Sequence, residues 1–528
     1  MKNKSHFVIW AIFLFFASQN TTCAQQPPVQ AQEINRQTLH LDQVTLSGVT
    51  LYDHKALLNY AIHQIEKKKE VVDLQNLSDA IRNIYREDGY FLATIVSVLS
   101  EQSAQINVSE GEISKIEVAG VDAAIAAKIA AVISSAVGSG PAQLSRFERG
   151  VMLAKDLSGV NLHAEFIHTE QGKDILRVAA TSVNQRGSIS LDNLPRNFGK
   201  GAYAVLNEEV YSTVTPGDMF RLNVLPSADF NNQWSGVFGS LTYRTPLNDK
   251  GLYGELSIGT GLTRNFYTGP DQNPNNTFQK TNLATALVGY PLIRDVHTFF
   301  YTLSQVDYFG VAGSNTGVNS TDTTVFRQSF VYDYSTDVGQ KLHLAATVSG
   351  GTSNSQYFLS NPNYLLSDSN FYHLRLGVGF TAPLDKYSGG LGLRLEASGQ
   401  YTTNSLPSVE KYFLGDRTRL RGYGYAEVIG DVGYAATAEV SQFIHLGYRY
   451  MDSVSPFVFF DVGSVRQNRV VPGSLATQAN LASFGIGIQT SSKERFSTRI
   501  WYGVPLVSIP NGTQAYSPAI WLQLTQSW

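Results

Sequence analysis

The residues with the most specific chemistry lie in two short segments of the carboxy-terminal part of the chain. The first is Phe413-Leu414-Gly415-Asp416-Arg417-Thr418-Arg419-Leu420-Arg421-Gly422-Tyr423-Gly424. The second, Phe457-Val458-Phe459-Phe460-Asp461-Val462-Gly463, is apolar except for one carboxylate. In an extended strand successive side chains point to opposite faces, so Val458, Phe460 and Val462 share one face and Asp461 takes the other. An acid confined in an interior seeks a cation, and arginine offers a planar two-point match that lysine cannot reproduce. Gly422 would let the backbone turn tightly beside such a contact. The plain alternative is a solvated loop cation at Arg421 and an ordinary interior charge at Asp461.

Catalytic chemistry has little to stand on. Serine is abundant and there are 10 histidines, yet the chain has no Gly-x-Ser-x-Gly elbow, no His-Glu-x-x-His and no paired-acid signature. His163 and His168 differ by one in strand parity, so they face opposite sides and make poor co-ligands. The sole cysteine, Cys23, falls in a segment expected to be removed. The reading is therefore of a protein that is not an enzyme and takes no cofactor or metal.

The elements that must position the two segments begin with composition. Of the 528 residues only 16% are charged, against roughly 25% in an ordinary soluble protein. A mean hydropathy of -0.11 excludes a helical polytopic membrane protein, which needs repeated apolar runs of about 20 residues. Low charge also argues against a disordered chain or a nucleic-acid binder. A large soluble β protein or a transmembrane β-barrel remains. Residues 1–24 read as a secretory signal: Lys2 and Lys4 precede the apolar stretch Phe7–Ala17, and Thr22-Cys23-Ala24 offers small residues for cleavage. Residues 25–39, with two prolines, read as a linker.

Two similar units follow, over 40–111 and 112–182. Val44-Thr45-Leu46-Ser47-Gly48-Val49 recurs as Ile116-Glu117-Val118-Ala119-Gly120-Val121, each an alternating strand ending at a glycine turn. In the first unit Asp73 is placed to cap a helix with Leu74, Leu77, Ile81 and Ile84 on one face, Gly89 can close it, and Tyr90–Leu99 reads as a buried strand. In the second, Asp122 opens an Ala-rich helix stopping near Gly138. A further helix carries Phe147, Val151 and Ala154 and ends at Gly159. Each unit is strand, helix, helix, strand, strand.

From 183 to 528 helical periodicity disappears. Leu391, Leu393, Leu395, Ala397 and Tyr401 alternate with Gly392, Arg394, Glu396, Ser398 and Gln400, the pattern of a strand with lipid on one side and water on the other. The last six strands are expected near 389–402, 432–446, 456–466, 481–490, 496–506 and 518–528, joined by long and short connections in alternation. At about 22 residues per strand and connection, an even number near 16 follows. The fold class is mainly β: a 16-stranded transmembrane barrel preceded by two small α+β domains.

The units, through Tyr85-Arg86-Glu87-Asp88-Gly89-Tyr90 and Val108-Ser109-Glu110-Gly111, resemble POTRA domains. Leu420-Arg421-Gly422-Tyr423 resembles the (V/L)RG(F/Y) loop motif, and Phe459-x-Asp461-x-Gly463 the FxDxG strand motif, of the two-partner secretion transporters (TpsB family, the haemolysin secretion/activation type). That family belongs to one superfamily with the BamA-type insertases. The resemblance implies that the loop folds back into the lumen and that Arg421 pairs with Asp461. It implies a bacterial outer-membrane protein with periplasmic POTRA domains that secretes a large unfolded client, such as an adhesin, cytolysin or toxin, without ATP. Periplasmic chaperones, the barrel-assembly machinery and outer-membrane lipid are the other expected partners, and nucleic acid is not. The terminal Trp528 resembles an assembly signal, although Phe is commoner there. Residues 25–39 are too few for the plug helix and linker of many members, so the loop is expected to gate the pore alone. An assembly insertase and a passive porin are the alternatives.

Overall fold

The computed structural model describes residues 44–100, 103–167, 173–194, 201–229, 234–268, 274–313, 321–354, 367–384, 390–468, 478–508 and 518–528. The signal, the linker and His168 lie outside the described residues.

The first unit runs β1 (Val44–Ser47), α1 (His54–Lys67), α2 (Leu74–Glu87), β2 (Thr94–Ser100) and β3 (Ser103–Ser109). Asp53 and Asp73 cap the helices by accepting from the amides of Ala56 and Asn76, at 2.9 and 2.8 Å. Leu57, Ala61 and Ile65 of α1 and Leu77, Ile81 and Ile84 of α2 pack with Ile106 and Val108 into one core. The sheet order is β1-β3-β2, with β1 parallel and β2 antiparallel to β3. The expectation of a buried strand over Tyr90–Leu99 needs correction. Tyr90 to Ala93 form a turn, and β2 is an edge strand with Val96, Val98 and Leu99 exposed. A continuous apolar run suggested burial on both faces, whereas within β2 only Ile95 reaches the core, the preceding turn contributing Ala93.

The second unit repeats the order: β4 (Glu112–Ala119), α3 (Ala123–Val137), α4 (Leu144–Lys155), β5 (Val160–Ile167) and β6 (Lys173–Ser182), with sheet order β4-β6-β5. Asp122 caps α3 by accepting from the amides of Ala124 and Ile125. The two units meet tightly. Leu144 N–H donates to the Gly89 carbonyl at 2.8 Å, Ala142 N–H donates to the Gly111 carbonyl at 2.9 Å, and Phe91 packs against both Phe147 and Phe166.

The remaining strands close a barrel: β7 (Gln185–Leu194), β8 (Gly201–Tyr211), β9 (Met219–Asp229), β10 (Trp234–Pro246), β11 (Tyr253–Thr268), β12 (Pro274–Arg294), β13 (Thr298–Gly313), β14 (Thr321–Ser335), β15 (Lys341–Ser353), β16 (Asn370–Pro383), β17 (Leu391–Tyr401), β20 (Val432–Gln442), continued after Phe443 by β21 (Ile444–His445), β22 (Ser453–Arg466), β23 (Gln478–Ser491), β24 (Phe496–Pro505) and β25 (Ala519–Ser527). With β20 and β21 taken as one interrupted strand, this is a ring of 16 antiparallel strands. Closure is between β25 and β7. β18 (Tyr412–Leu414) and β19 (Val428–Gly430) form a separate ribbon within the connection from β17 to β20.

Alternation sorts the side chains. Leu256, Ile258, Phe326, Leu376 and Val458 stand exposed on the outer face, while Arg327, His373, Glu439 and Asp461 face inward. Among the described residues no helix is long and apolar enough to cross a membrane. The short turns lie toward the second unit, which docks on them. Asp156 pairs with Arg294 through two 2.8 Å contacts, Lys128 pairs with Asp249 at 2.8 Å, and Arg149 donates to the Pro291 carbonyl at 2.8 Å.

Candidate functional site: the lumen loop and its strand partners

The long connection from β17 to β20, residues 402–431, folds into the barrel. Its turn carries the arginine, and strand pairing supplies the receiving surface. On β22, Asp461 is flanked across the sheet by Thr437 of β20 and Ser483 of β23. Asp461 is fully buried and Arg421 nearly so.

The contact is more than a single ion pair. Arg421 Nε and Nη2 donate to Asp461 Oδ2 and Oδ1 at 3.2 and 2.9 Å, the two-point arrangement that a guanidinium favours. The backbone N–H of Arg421 donates to the same Oδ2 at 2.9 Å, and the Ser483 hydroxyl reaches it at 3.3 Å. Arg421 Nη1 pairs with Glu439, whose carboxylate also accepts from Arg499 at 3.1 Å. The guanidinium carbon lies 3.6 Å from the centre of the Phe459 ring, close enough for a cation–π contact. The Arg421 carbonyl accepts from Trp521 Nε1 at 2.8 Å. Two carboxylates thus face two guanidiniums in a space walled by aromatic rings. An unmatched charge there would carry a large desolvation cost.

Fit reinforces charge. Leu420 is fully buried with φ of 56°, a left-handed conformation that costs a leucine about 1 kcal/mol. Its side chain rests on Gly463, where an added Cβ would come within 2.8 Å of Leu420 Cδ1. A Cβ on Gly422 would meet Ser483 Cβ at 2.6 Å. Both glycines are therefore sites of close approach. Tyr423, buried to the ring, sets its hydroxyl 2.9 Å from the Ala482 carbonyl and 2.8 Å from that of Val507. Leu420 and Tyr423 join Tyr412, Leu414, Val465 and Leu481 in a small apolar core between loop and wall.

The structure brings together Leu420, Arg421, Gly422 and Tyr423 with Phe459, Asp461 and Gly463. Trp528 lies apart, at the closing seam, where its N–H donates to the Gly187 carbonyl at 3.0 Å. Arg394 and Glu396 line the lumen as a half-exposed pair 2.6 Å apart. Glu439, Ser483, Arg499 and Trp521 were missed as members of the site. The inward parity of Glu439 on its strand was the one signal available, and it did not single out this residue from other lumen charges.

A 16-stranded barrel with an inward loop, carrying two βααββ units at the mouth where the short turns lie, defines a POTRA-plus-barrel protein. Residues 310–490 match the haemolysin secretion/activation protein family ShlB/FhaC/HecB, and residues 39–113 match the ShlB-type POTRA domain. Both matched segments are similar to parts of the two-partner secretion (TpsB-type) transporters, the first within the barrel and the second over the first βααββ unit. CdiB from Acinetobacter baumannii is similar over 96% of this chain and 95% of its own, with a TM-score of 0.69 at 15% identity. CdiB from Escherichia coli is similar over 95% and 93%, with a TM-score of 0.71 at 15% identity. At this identity the likeness is one of fold. A comparison with curated proteins finds no match.

Proposed function

We propose that the protein is an outer-membrane translocator that captures an unfolded exported partner in the periplasm and passes it through the barrel to the cell surface without ATP. The observation that carries this reading is the docking of a POTRA-type unit at the mouth of a barrel whose interior is ionic and filled by a loop. A fixed apolar core could not be displaced by a passing chain, whereas a loop held by discrete contacts can be. The open edge of β2 offers backbone donors and acceptors to an extended client, which gives tolerance of sequence. The chain contains no Gly-Lys-Ser/Thr phosphate loop, so the driving force is assigned to folding of the client outside.

The segment boundaries belong to the same reading: signal 1–24, linker 25–39, POTRA domains 40–111 and 112–182, barrel 183–528. So do Trp528 as the assembly signal, the outer membrane as the location, chaperones and the assembly machinery as helpers, and a large adhesin, cytolysin or toxin as client. Arg421 and Asp461 act here by holding the loop tip in place.

Comparing the medium and outer membrane of a deletion strain with those of its parent tests the function. One large protein should disappear from the medium or surface while other barrels stay at parental levels. General loss of outer-membrane barrels would replace this reading with an assembly insertase. The role of the tip is tested by Arg421→Lys, which keeps the charge and loses the fork. Assembled variant should export less client, and parental export by both Arg421→Lys and Arg421→Ala would end the assignment.

A further inference from the structure

The loop enters a second buried charge cluster, on another wall of the barrel and sharing no side chain with the first. Glu410, at the root of the loop, is fully buried. Arg327 of β14 grips it with two bonds, Nη2 to Oε1 at 2.6 Å and Nη1 to Oε2 at 3.0 Å. His373 Nε2 of β16 lies 2.8 Å from Oε2. Arg375 of β16 and Gln400 of β17 each donate to the Glu410 main-chain carbonyl at 3.0 Å. Arg327 is itself oriented by Asp307 of β13 at 2.7 Å. Next to Glu410, buried Lys411 bonds buried Asp431 at 2.6 Å, which ties the two ends of the loop together.

Between its root and tip the loop is stiffened from within. β18 pairs with β19, Arg419 bonds Asp416 and lies over Phe413, and the Tyr412 hydroxyl contacts Ser398 of β17 at 2.6 Å. At the far side Arg417 reaches Asp192 of β7 at 2.6 Å. In the ring of strands β7 and β14 stand nearly opposite one another. The loop therefore lies across the lumen as a strap with separate fastenings. Beneath it lie two adjoining open clefts that share His343 and Glu396: one, with His297 and Asp333, begins at the POTRA-side rim, and the other ends against Thr418 and Arg419 of the loop.

We infer that Glu410 is a positioning residue of the transport path: its clasp by Arg327, His373 and Arg375 fastens the root of the loop independently of Arg421, and keeps the adjoining clefts closed where they meet the loop. The inference deepens the transport reading and rests on it for its biological meaning, but its physical content is a statement about a pore.

The test is the single-channel conductance of the purified full chain in a planar lipid bilayer, with heat-modifiable migration as the control for a folded barrel. Glu410→Gln removes the charge and keeps the shape. It should raise open-state occupancy roughly 10- to 100-fold, the range for lost hydrogen bonds to a charged group. Glu410→Asp, which restores the charge, should raise it less. In the Glu410→Gln/Arg421→Ala double variant the two increases should multiply, as for independent sites. Parental occupancy in a folded Glu410→Gln barrel would overturn the inference, and so would a double variant no more open than Arg421→Ala alone. Should Glu410→Gln not assemble, the half-exposed wall partner serves: Arg375→Gln should raise occupancy about two- to fivefold, and no change there overturns the inference equally. Conductance needs no client. An altered pore in a protein whose deletion abolishes no secretion would uphold the fastening and remove the transport reading, so the two fail separately.

Discussion

The two fastenings of the loop reach the same end by different chemistry. At the tip, Asp461 binds a guanidinium, a backbone N–H and a hydroxyl at once, and glycines at 422 and 463 bring loop and wall into contact. At the root, Glu410 is held by side chains from β14 and β16, with no glycine at the contact and one imidazole among the donors. The tip is a fitted joint in which charge and shape are inseparable. The root is a charge clasp built from long side chains of the wall. A third buried carboxylate, Glu110 of the first unit, accepts from the amides of Thr50 and Leu51 and the hydroxyls of Thr50 and Tyr85, with no cation bonded to it among the described residues. The three differ in how far stability depends on an opposite charge, and substitutions can separate them.

The largest effect is expected at the fitted joint. Asp461→Ala leaves Arg421 buried with Glu439 as its only carboxylate, a loss of about 3–5 kcal/mol in the closed loop. The loop should become sensitive to protease added to intact cells, while parental resistance would show that charge is dispensable at the tip. Gly463→Ala adds one methyl group against Leu420 and the Tyr434 carbonyl and should cost roughly 1–3 kcal/mol, read as the same protease sensitivity with all charges intact. If this variant behaves as the parent, fit is not part of the joint.

Glu110→Ala should lower the unfolding transition of the POTRA helices, followed by circular dichroism, by about 1–2 kcal/mol. That is the low end for lost hydrogen bonds, because Thr50 and Leu51 are exposed. Burial pushes the Glu110 carboxyl up, but the bonds from Thr50, Leu51 and Tyr85 outweigh it and hold it below its ordinary value of 4.5. A carboxylate lowered in the folded state contributes its full stability above that ordinary value and loses it as pH falls through the lower folded one. The parent should thus lose helix stability on acidification below 4.5, and Glu110→Ala should show a flatter acid limb. Equal slopes would mean the acid contributes nothing through its charge. The smallest effect belongs to Arg394→Gln, whose half-exposed pair with Glu396 should alter stability by no more than about 1 kcal/mol. A change in thermal aggregation temperature as large as that of Asp461→Ala would place this pair among the fastenings.

The difference between joint and clasp also explains what the amino-acid sequence discloses. Fit demands particular residues at fixed spacing, so Leu420-Arg421-Gly422-Tyr423 and Phe459-x-Asp461-x-Gly463 stand out. Parity alone puts Asp461 on the inner face. The strands expected at 432–446, 456–466 and 496–506 are found at 432–445, 453–466 and 496–505, because alternation between lipid and lumen is imposed on every residue of a barrel. The clasp gives no such signal. Arg327, His373 and Glu410 come from distant parts of the chain, each is an ordinary polar residue in its local setting, and their meeting depends on barrel closure and on the path of the loop. The misjudged Tyr90–Leu99 strand has a related cause. An apolar run records low polarity but not which face is covered, and β2 keeps Val96 and Val98 exposed at an edge.

The joint between the two POTRA-type units is short: β3 ends at Ser109, β4 begins at Glu112, and Phe91, Phe147 and Phe166 fill the angle. With Asp156 and Arg294 seating the second unit on the rim, the assembly acts as a jig rather than a tether. On the transport reading, a client strand caught along β2 is delivered to the mouth at an effective concentration fixed by geometry, without the dilution that a flexible linker imposes. Lengthening that joint by a few glycines would then slow delivery while leaving every client contact in place.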